Sequence, residues 1–293
     1  MKFDYGNILT RSGQIIWKHK SLWALLTLPM VAAFLPFMLL LFLFLAALGV
    51  TKGHISENTF MVFGIAFFLL FIISTLVNFL ASSLVNAAVT LGIVRAERGE
   101  GSTKFMDLLK DGAVYFWRVL GLMLATNLTI GLAFTIFNLL MLVLILVTIG
   151  MASICVQPIM LLLMPFSFLL VGALEAAEIA IIFEGKSVID AIKRALQVVR
   201  ANLWKYMAIS AIVYFGSSIL SSMIMTPLFA PIFILPFLLE AGRGISLTGV
   251  VLPIGLFSCI FFPVMILVSG TLGVFMKTSL NLTYLRLADP VEN

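Results

Sequence analysis

The sequence predicts an all-α integral membrane protein of six transmembrane helices, paired as three hairpins, with amphipathic elbow helices on the cytoplasmic face. Three observations carry this. The chain of 293 residues is 62% hydrophobic and only 11% charged, against about 25% charged in soluble domains. Its apolar residues fall in blocks longer than the roughly 18 residues that a bilayer crossing needs. Strand-type alternation is absent, which argues against an outer-membrane barrel. In lipid the backbone must satisfy its own hydrogen bonds, so long helices are the expected solution.

Residues 3–18 make the first elbow. Phe3, Ile8, Leu9, Ile15 and Ile16 share an apolar face, while Lys2, Arg11, Lys18 and Lys20 point elsewhere, as in an interfacial helix. The first span covers about 21–50, much longer than the roughly 7–15 apolar residues of a cleavable signal peptide. Pro29 and Pro36 are expected to kink it. A loop at 51–58 leads to the second span, about 59–94, which must tilt or protrude. Within it Ser74, Asn78, Ser82, Asn86 and Thr90 recur every four residues, a slowly drifting stripe. It serves either interhelical hydrogen bonding or the lining of a polar pathway.

The second elbow is expected at 102–117, with Ser102 as N-cap. Phe105, Leu108 and Leu109 face one way, and Lys104, Asp107, Lys110 and Asp111 stay wet. The third span, about 117–149, carries Thr126, Asn127, Thr129 and Asn138. An uncharged turn at 150–156 joins it to the fourth, about 157–183. There Glu175 and Glu178 sit one turn apart, beside a ridge of Gly172, Ala176 and Ala180 that lets another helix approach closely. Intramembrane carboxylates are functional candidates by default. The chain leaves the membrane at Glu184-Gly185 and enters the third elbow, 187–201. Its Val188, Ile189, Ile192, Leu196 and Val199 are apolar and its Lys193, Arg194 and Arg200 basic. The fifth span, about 203–228, holds Ser217, Ser218, Ser221 and Ser222. A Pro/Gly-rich connection at 229–246, with Pro231, Pro236, Glu240 and Arg243, has an apolar first half suited to re-entry. The sixth span, about 247–276, is interrupted by Pro253 and Pro263, and a tail from Lys277 follows.

The charges orient these spans. Of 18 Lys and Arg residues, only Lys52 and Arg243 fall in the loops of one side. The positive-inside rule then places both termini in the cytoplasm, as six spans require. The net charge of +5 is accordingly read as topology signal and contact with anionic lipid heads, and no nucleic-acid partner is expected. The elbows also echo one another. Ile8-Leu9-Thr10-Arg11 before Trp17 resembles Leu108-Leu109-Lys110-Asp111 before Trp117, and Ala191-Ile192-Lys193-Arg194 is a looser third copy. This suggests three elbow-plus-hairpin units.

Depth counting gathers a polar layer. Asn86 lies nine residues before Arg95, Asn127 nine after Arg118, and Glu175 nine before Glu184. At about 1.5 Å per residue, each lies roughly 13 Å from its boundary charge. Lys277, nine residues before Arg286, either joins this layer to pair with Glu175 or Glu178, or snorkels to the interface. Three readings are open: a structural lock on helix register, a cytoplasmic vestibule for a cation or lipid head, and proton coupling through Glu175 and Glu178.

Other chemistry is missing. Cys155 and Cys259 lie in apolar surroundings and are read as small hydrophobes. His19 and His54, placed on opposite sides, make no metal spacing, so neither metal nor cofactor is expected. Gly185-Lys186-Ser187 ends like a phosphate loop, but the earlier glycine is Ala180 and a span precedes it. No hydrolase or dinucleotide fingerprint occurs.

From Ala180 through Glu184-Gly185 to Ala191 and Lys193-Arg194, then Asn202-Leu203-Trp204, the sequence resembles six-helix bacterial membrane proteins of the YciC-like type. It is similar also to the membrane domain fused to some glycerophosphodiester phosphodiesterases. Tyr284-Leu285-Arg286 is like their C-terminal Tyr-x-x-Arg signature, shorter by one residue. The resemblance implies the six-span fold and carries over no catalytic residue. The expected function is non-enzymatic: an accessory, scaffold or lipid-interacting protein of the bacterial inner membrane. Lys193, Arg194 and Arg200 would hold anionic lipid heads, a membrane-protein partner or a second copy of the chain. The alternative is a transporter or permease working through Glu175 and Glu178.

Overall fold

A computed structural model describes residues 3–50, 57–99, 101, 103–148, 151–241 and 247–288. The described residues are helical apart from short connections, without a strand. Three short helices, α1 (Tyr5–Lys18), α4 (Phe105–Gly112) and α7 (Val188–Ala201), alternate with pairs of long ones. The long helices are α2 (Lys20–Val50), α3 (Glu57–Arg98), α5 (Phe116–Val147), α6 (Ala152–Phe183), α8 (Leu203–Ala241) and α9 (Leu247–Ala288). Six helices are long and apolar enough to cross a membrane, and the protein is a multi-pass membrane protein.

The packing is cyclic. The second long helix of each unit, α3, α6 and α9, contacts the other two and forms an inner trio. Each first long helix is wedged between two of them: α5 between α3 and α6, α8 between α6 and α9, α2 between α9 and α3. Each short helix packs on the inner helix of the preceding unit: α4 on α3, α7 on α6, and α1 on α9. Ion pairs and hydrogen bonds repeat the pattern at one end of the bundle. Arg95 meets Asp111 at 2.7 Å, Arg194 meets Glu184 at 3.6 Å, and Arg286 donates to Asn7 at 2.9 Å. All three short helices therefore gather at the same end.

Local sequence explains how the short helices seat. Asp4 caps α1 by accepting from the Asn7 amide at 3.0 Å, and Ser187 caps α7 by accepting from the Asp190 amide at 3.4 Å. Their buried faces repeat in register: Ile8, Ser12 and Ile15 on α1, Leu108 and Gly112 on α4, Ala191, Ala195 and Val198 on α7. The second position is always small because an inner helix passes there. At Gly112 the approach is tightest, since a Cβ would lie 2.8 Å from Ala88 Cα and 2.9 Å from its nitrogen.

Several expected boundaries change. The connection expected at 229–246 is helical to Ala241, so α8 runs through Pro231 and Pro236. Likewise α9 is continuous across Pro253 and Pro263 instead of being interrupted there. An apolar segment in lipid has no water to take its backbone bonds, so helix persists through prolines that would break it in water. The tail expected from Lys277 is instead the last part of α9, which ends at Ala288. The elbow expected at 102–117 is shorter, with a 3-10 turn over Ala113–Tyr115 before α5. Lys104 holds the N-cap position, where its side chain does not cap the first amides, while Ser102 lies outside the described residues. The turn expected at 150–156 closes earlier, because α6 begins at Ala152. Lys52, His54 and Arg243 lie outside the described residues. Cys155 and Cys259 fall within α6 and α9.

The close seat at Gly112 has a measurable consequence. Gly112→Ala forces α4 off α3 and is expected to cost about 1–3 kcal/mol. Gly13, on α1, has nothing within 4 Å of its Cβ position, so Gly13→Ala should stabilise by about 0.5–1 kcal/mol. Thermal unfolding of the two purified variants checks the opposite signs.

Candidate functional site

At the meeting of the inner trio, one ammonium serves two carboxylates. Lys277 Nζ on α9 lies 2.7 Å from Glu178 Oε2 and 2.9 Å from Glu175 Oε2 on α6. Thr90 on α3 donates to Glu178 Oε1 at 2.6 Å. Asn281, one turn beyond Lys277, donates to Thr90 Oγ1 at 3.4 Å. Thus each inner helix contributes at least one member. Lys277 and Glu178 side chains are 4% and 8% exposed, whereas Glu175 keeps 22%.

The chain builds this cluster by helix register. Glu175 and Glu178 are three residues apart and share one face of α6. Lys277, Asn281 and Tyr284 recur at helical spacing on α9, so its last turns turn a polar face inward. The small ridge lets α6 and α8 close up: a Cβ at Gly172 would lie 3.1 Å from Ser210 Oγ and 3.2 Å from Tyr206 Cδ1.

A second cluster caps the first. Gly185, at φ +67°, ends α6 in the left-handed conformation, and the Lys186 amide returns to the Ala180 carbonyl at 3.4 Å. This turn exposes Glu184 to three partners. Lys186 Nζ lies 2.7 Å away and Arg194 Nε 3.6 Å away, and the Tyr284 hydroxyl donates to the same carboxylate. Burial alone would raise the Glu184 carboxyl. The hydrogen bonds from Lys186 and Tyr284, joined by the Lys186 and Arg194 charges, outweigh it and hold the group below its ordinary value. Arg194 also donates to the Ala288 carbonyl at 3.3 Å, so it ties the end of α9 to α7.

Sequence-derived candidates divide clearly. Glu175, Glu178 and Lys277 come together, and Lys277 is paired at depth, not snorkelling. Asn86 and Asn127 do not join them. Asn86 turns to α5, its amide 3.7 Å from Met123 Sδ, and Asn127 is exposed, donating 2.7 Å to the Met123 carbonyl of its own helix. Depth counting sets height along a helix but not the direction faced. Of the α3 stripe, Ser74 is buried, Ser82 donates to Asn78 at 2.9 Å, and only Thr90 reaches the cluster. A four-residue repeat drifts about 40° per step, so successive members meet different neighbours. Asn281 was missed, although its spacing from Lys277 and Tyr284 was there to be seen. Lys193 and Arg200 are exposed on α7, but Arg194 is engaged with Glu184. Among the described residues, no group of three His, Cys, Asp or Glu side chains could hold a metal.

Comparison with protein-family models, curated proteins and solved structures yields no match.

The cluster can hold helices in register but is closed to bulk exchange at Glu178. Both Glu178 oxygens are occupied, and Lys277 is sealed. Removing one member of a buried pair leaves the other uncompensated and costs about 3–5 kcal/mol. Lys277→Met should therefore destabilise strongly, and adding Glu175→Gln and Glu178→Gln should recover most of the loss, read by denaturant unfolding in mixed micelles. For Glu184 the sign follows from its depressed value. Its contribution is complete above the ordinary carboxylate value of 4.5 and is lost as pH falls through the lower folded value. Thermal midpoints followed into the acid range should fall for the wild type and fall less for Glu184→Gln.

Proposed function

We propose that the chain is a non-enzymatic, lipid-interacting scaffold of a bacterial inner membrane, with both termini cytoplasmic. The observation that carries this reading is the position of three tryptophans. Trp17, Trp117 and Trp204 are 83%, 76% and 75% exposed, and each stands where a short helix meets the first long helix of its unit. Indole rings favour the bilayer interface, where an apolar body and a polar N–H are both accommodated. The short helices and the 3-10 turn after α4 add exposed apolar side chains, Met106, Val114 and Ile189 among them, beside exposed Lys18, Lys110, Lys193 and Arg200. Amphipathic elbows with that composition lie in the interface plane and attract anionic head groups.

The excess of Lys and Arg at this end supports the cytoplasmic orientation through the positive-inside rule. Tyr284 and Glu184, which belong to two of the stretches that carry the YciC-like resemblance, meet in the fold. The same elbow ring is the surface offered to a membrane-protein partner or a second copy.

A transporter reading draws on the partial exposure of Glu175. It requires the cluster to exchange charge, while Glu178 and Lys277 are closed in by their partners. The scaffold reading asks nothing of the cluster beyond holding three units together.

Replacing the exposed pair tests the lipid contact without touching the Glu184 cluster. Lys193→Glu with Arg200→Glu should weaken retention of anionic lipid by the purified protein about thirtyfold, each lost surface cation contributing about 1 kcal/mol. Native mass spectrometry after extraction from mixed bilayers reads this out. Retention equal to wild type would refute the lipid contact.

A further inference from the structure

A cavity of about 680 Å³ opens between α2, α8 and α9. It borders the ion cluster, since Tyr214 in its wall interacts with the Glu175 charge and Met276 directly precedes Lys277, but it contains none of the cluster's charged side chains. Ser217, Ser218, Ser221, Ser222 and Thr226 on α8 and Ser269 on α9 supply its polar wall. Ser217 with Ser221, and Ser218 with Ser222, are one turn apart and lie on one side of α8. Methionines and leucines, Met30 and Leu272 among them, make the rest. Ser218, Ser222 and Thr226 are exposed, so the mouth lies on the surface available to lipid. Ser217 forms the buried wall: it is 5% exposed, and its hydroxyl has no hydrogen-bond partner.

These facts select a ligand class. A hydroxyl without a partner inside an apolar span is costly unless something bonds it. None of the described lining residues carries a charge, so an ionised head placed here would be desolvated without a counter-charge. The volume falls in the range of about 300–1,000 Å³ typical of small-molecule sites. Methionine walls adapt to irregular apolar shapes. A mouth open to lipid admits a molecule already dissolved in the bilayer.

We propose that this cavity binds an uncharged lipid. Its hydroxyl or ester carbonyl hydrogen-bonds Ser217 and Ser221, and its chain runs out between α8 and α9. This site is independent of the elbow ring, which concerns anionic heads at the end of the bundle.

Photolabelling in nanodiscs tests it. The full chain is irradiated with a diazirine-bearing diacylglycerol, and in parallel with a diazirine-bearing phosphatidylglycerol at equal mole fraction. Labelled peptides are mapped by mass spectrometry. The neutral probe should label α8 and α9 at the cavity, and the charged probe should not concentrate there. Ser217→Ala with Ser221→Ala should weaken the neutral labelling about tenfold, as expected for two lost hydrogen bonds. Ser221→Phe, which fills the cavity, should abolish it. The double alanine variant only removes atoms, so it keeps the fold and remains decisive if the phenylalanine variant does not fold. Neutral labelling that is spread evenly over the lipid-facing surface, that is equal to the charged probe in the cavity, or that is unchanged in the double alanine variant overturns the proposal. A cavity that takes no label, being filled by water alone, overturns it equally.

Discussion

One lysine held between two glutamates is the interaction on which the arrangement of this bundle depends. Charges inside a bilayer must be paired, because no water compensates them there. Lys277, Glu175 and Glu178 meet that condition only if α6 and α9 stand in one register, and Thr90 extends the condition to α3. Apolar packing between helices in lipid is weakly directional, since lipid tails offer the same contacts. A buried ion pair is not by itself a large source of stability. Its physical value here is selective: most misaligned packings leave at least one charge unpaired.

This constraint sits at the centre of a threefold repetition. Three units of short helix, outer helix and inner helix repeat the same neighbours around the bundle. The short helices close the cycle, each seating on the preceding inner helix through a small residue, Ser12, Gly112 or Ala195. Yet the centre is not symmetric. α3 brings a threonine, α6 two carboxylates, and α9 a lysine and an asparagine. Distinct groups at equivalent heights let the three inner helices recognise one another instead of pairing interchangeably. The Glu184 cluster repeats the logic one level higher, with Tyr284 near the end of α9 and Arg194 in the middle of α7 both tied to the end of α6.

Much of this is legible in the sequence. Long apolar blocks specify spans, and the echo between the stretches at Ile8, Leu108 and Ala191 pointed to three units. The Glu175/Glu178 pair stood out because acids are rare in such surroundings. What the sequence did not convey is azimuth. Asn86 and Asn127 sit at plausible heights, but one faces α5 and the other faces outward. Proline also misled. Rules learned in water end a helix at Pro231 or Pro253, whereas a lipid environment leaves the backbone no alternative partner. Extending α9 to Ala288 is what brings Lys277 and Asn281 inside the bundle, where a tail would have left them wet.

The central claim concerns atoms that can be observed directly in a bilayer. Solid-state NMR of protein labelled with nitrogen-15 at the lysine side chain and carbon-13 at the glutamate carboxyls reports their proximity through dipolar dephasing. Lys277 should dephase the carboxyl carbons of both Glu175 and Glu178, and Glu178→Gln should remove one of those carboxylate resonances while the Glu175 coupling remains. Absence of any coupling between Lys277 and these two carboxyls, in protein that is folded in the bilayer, would contradict the account.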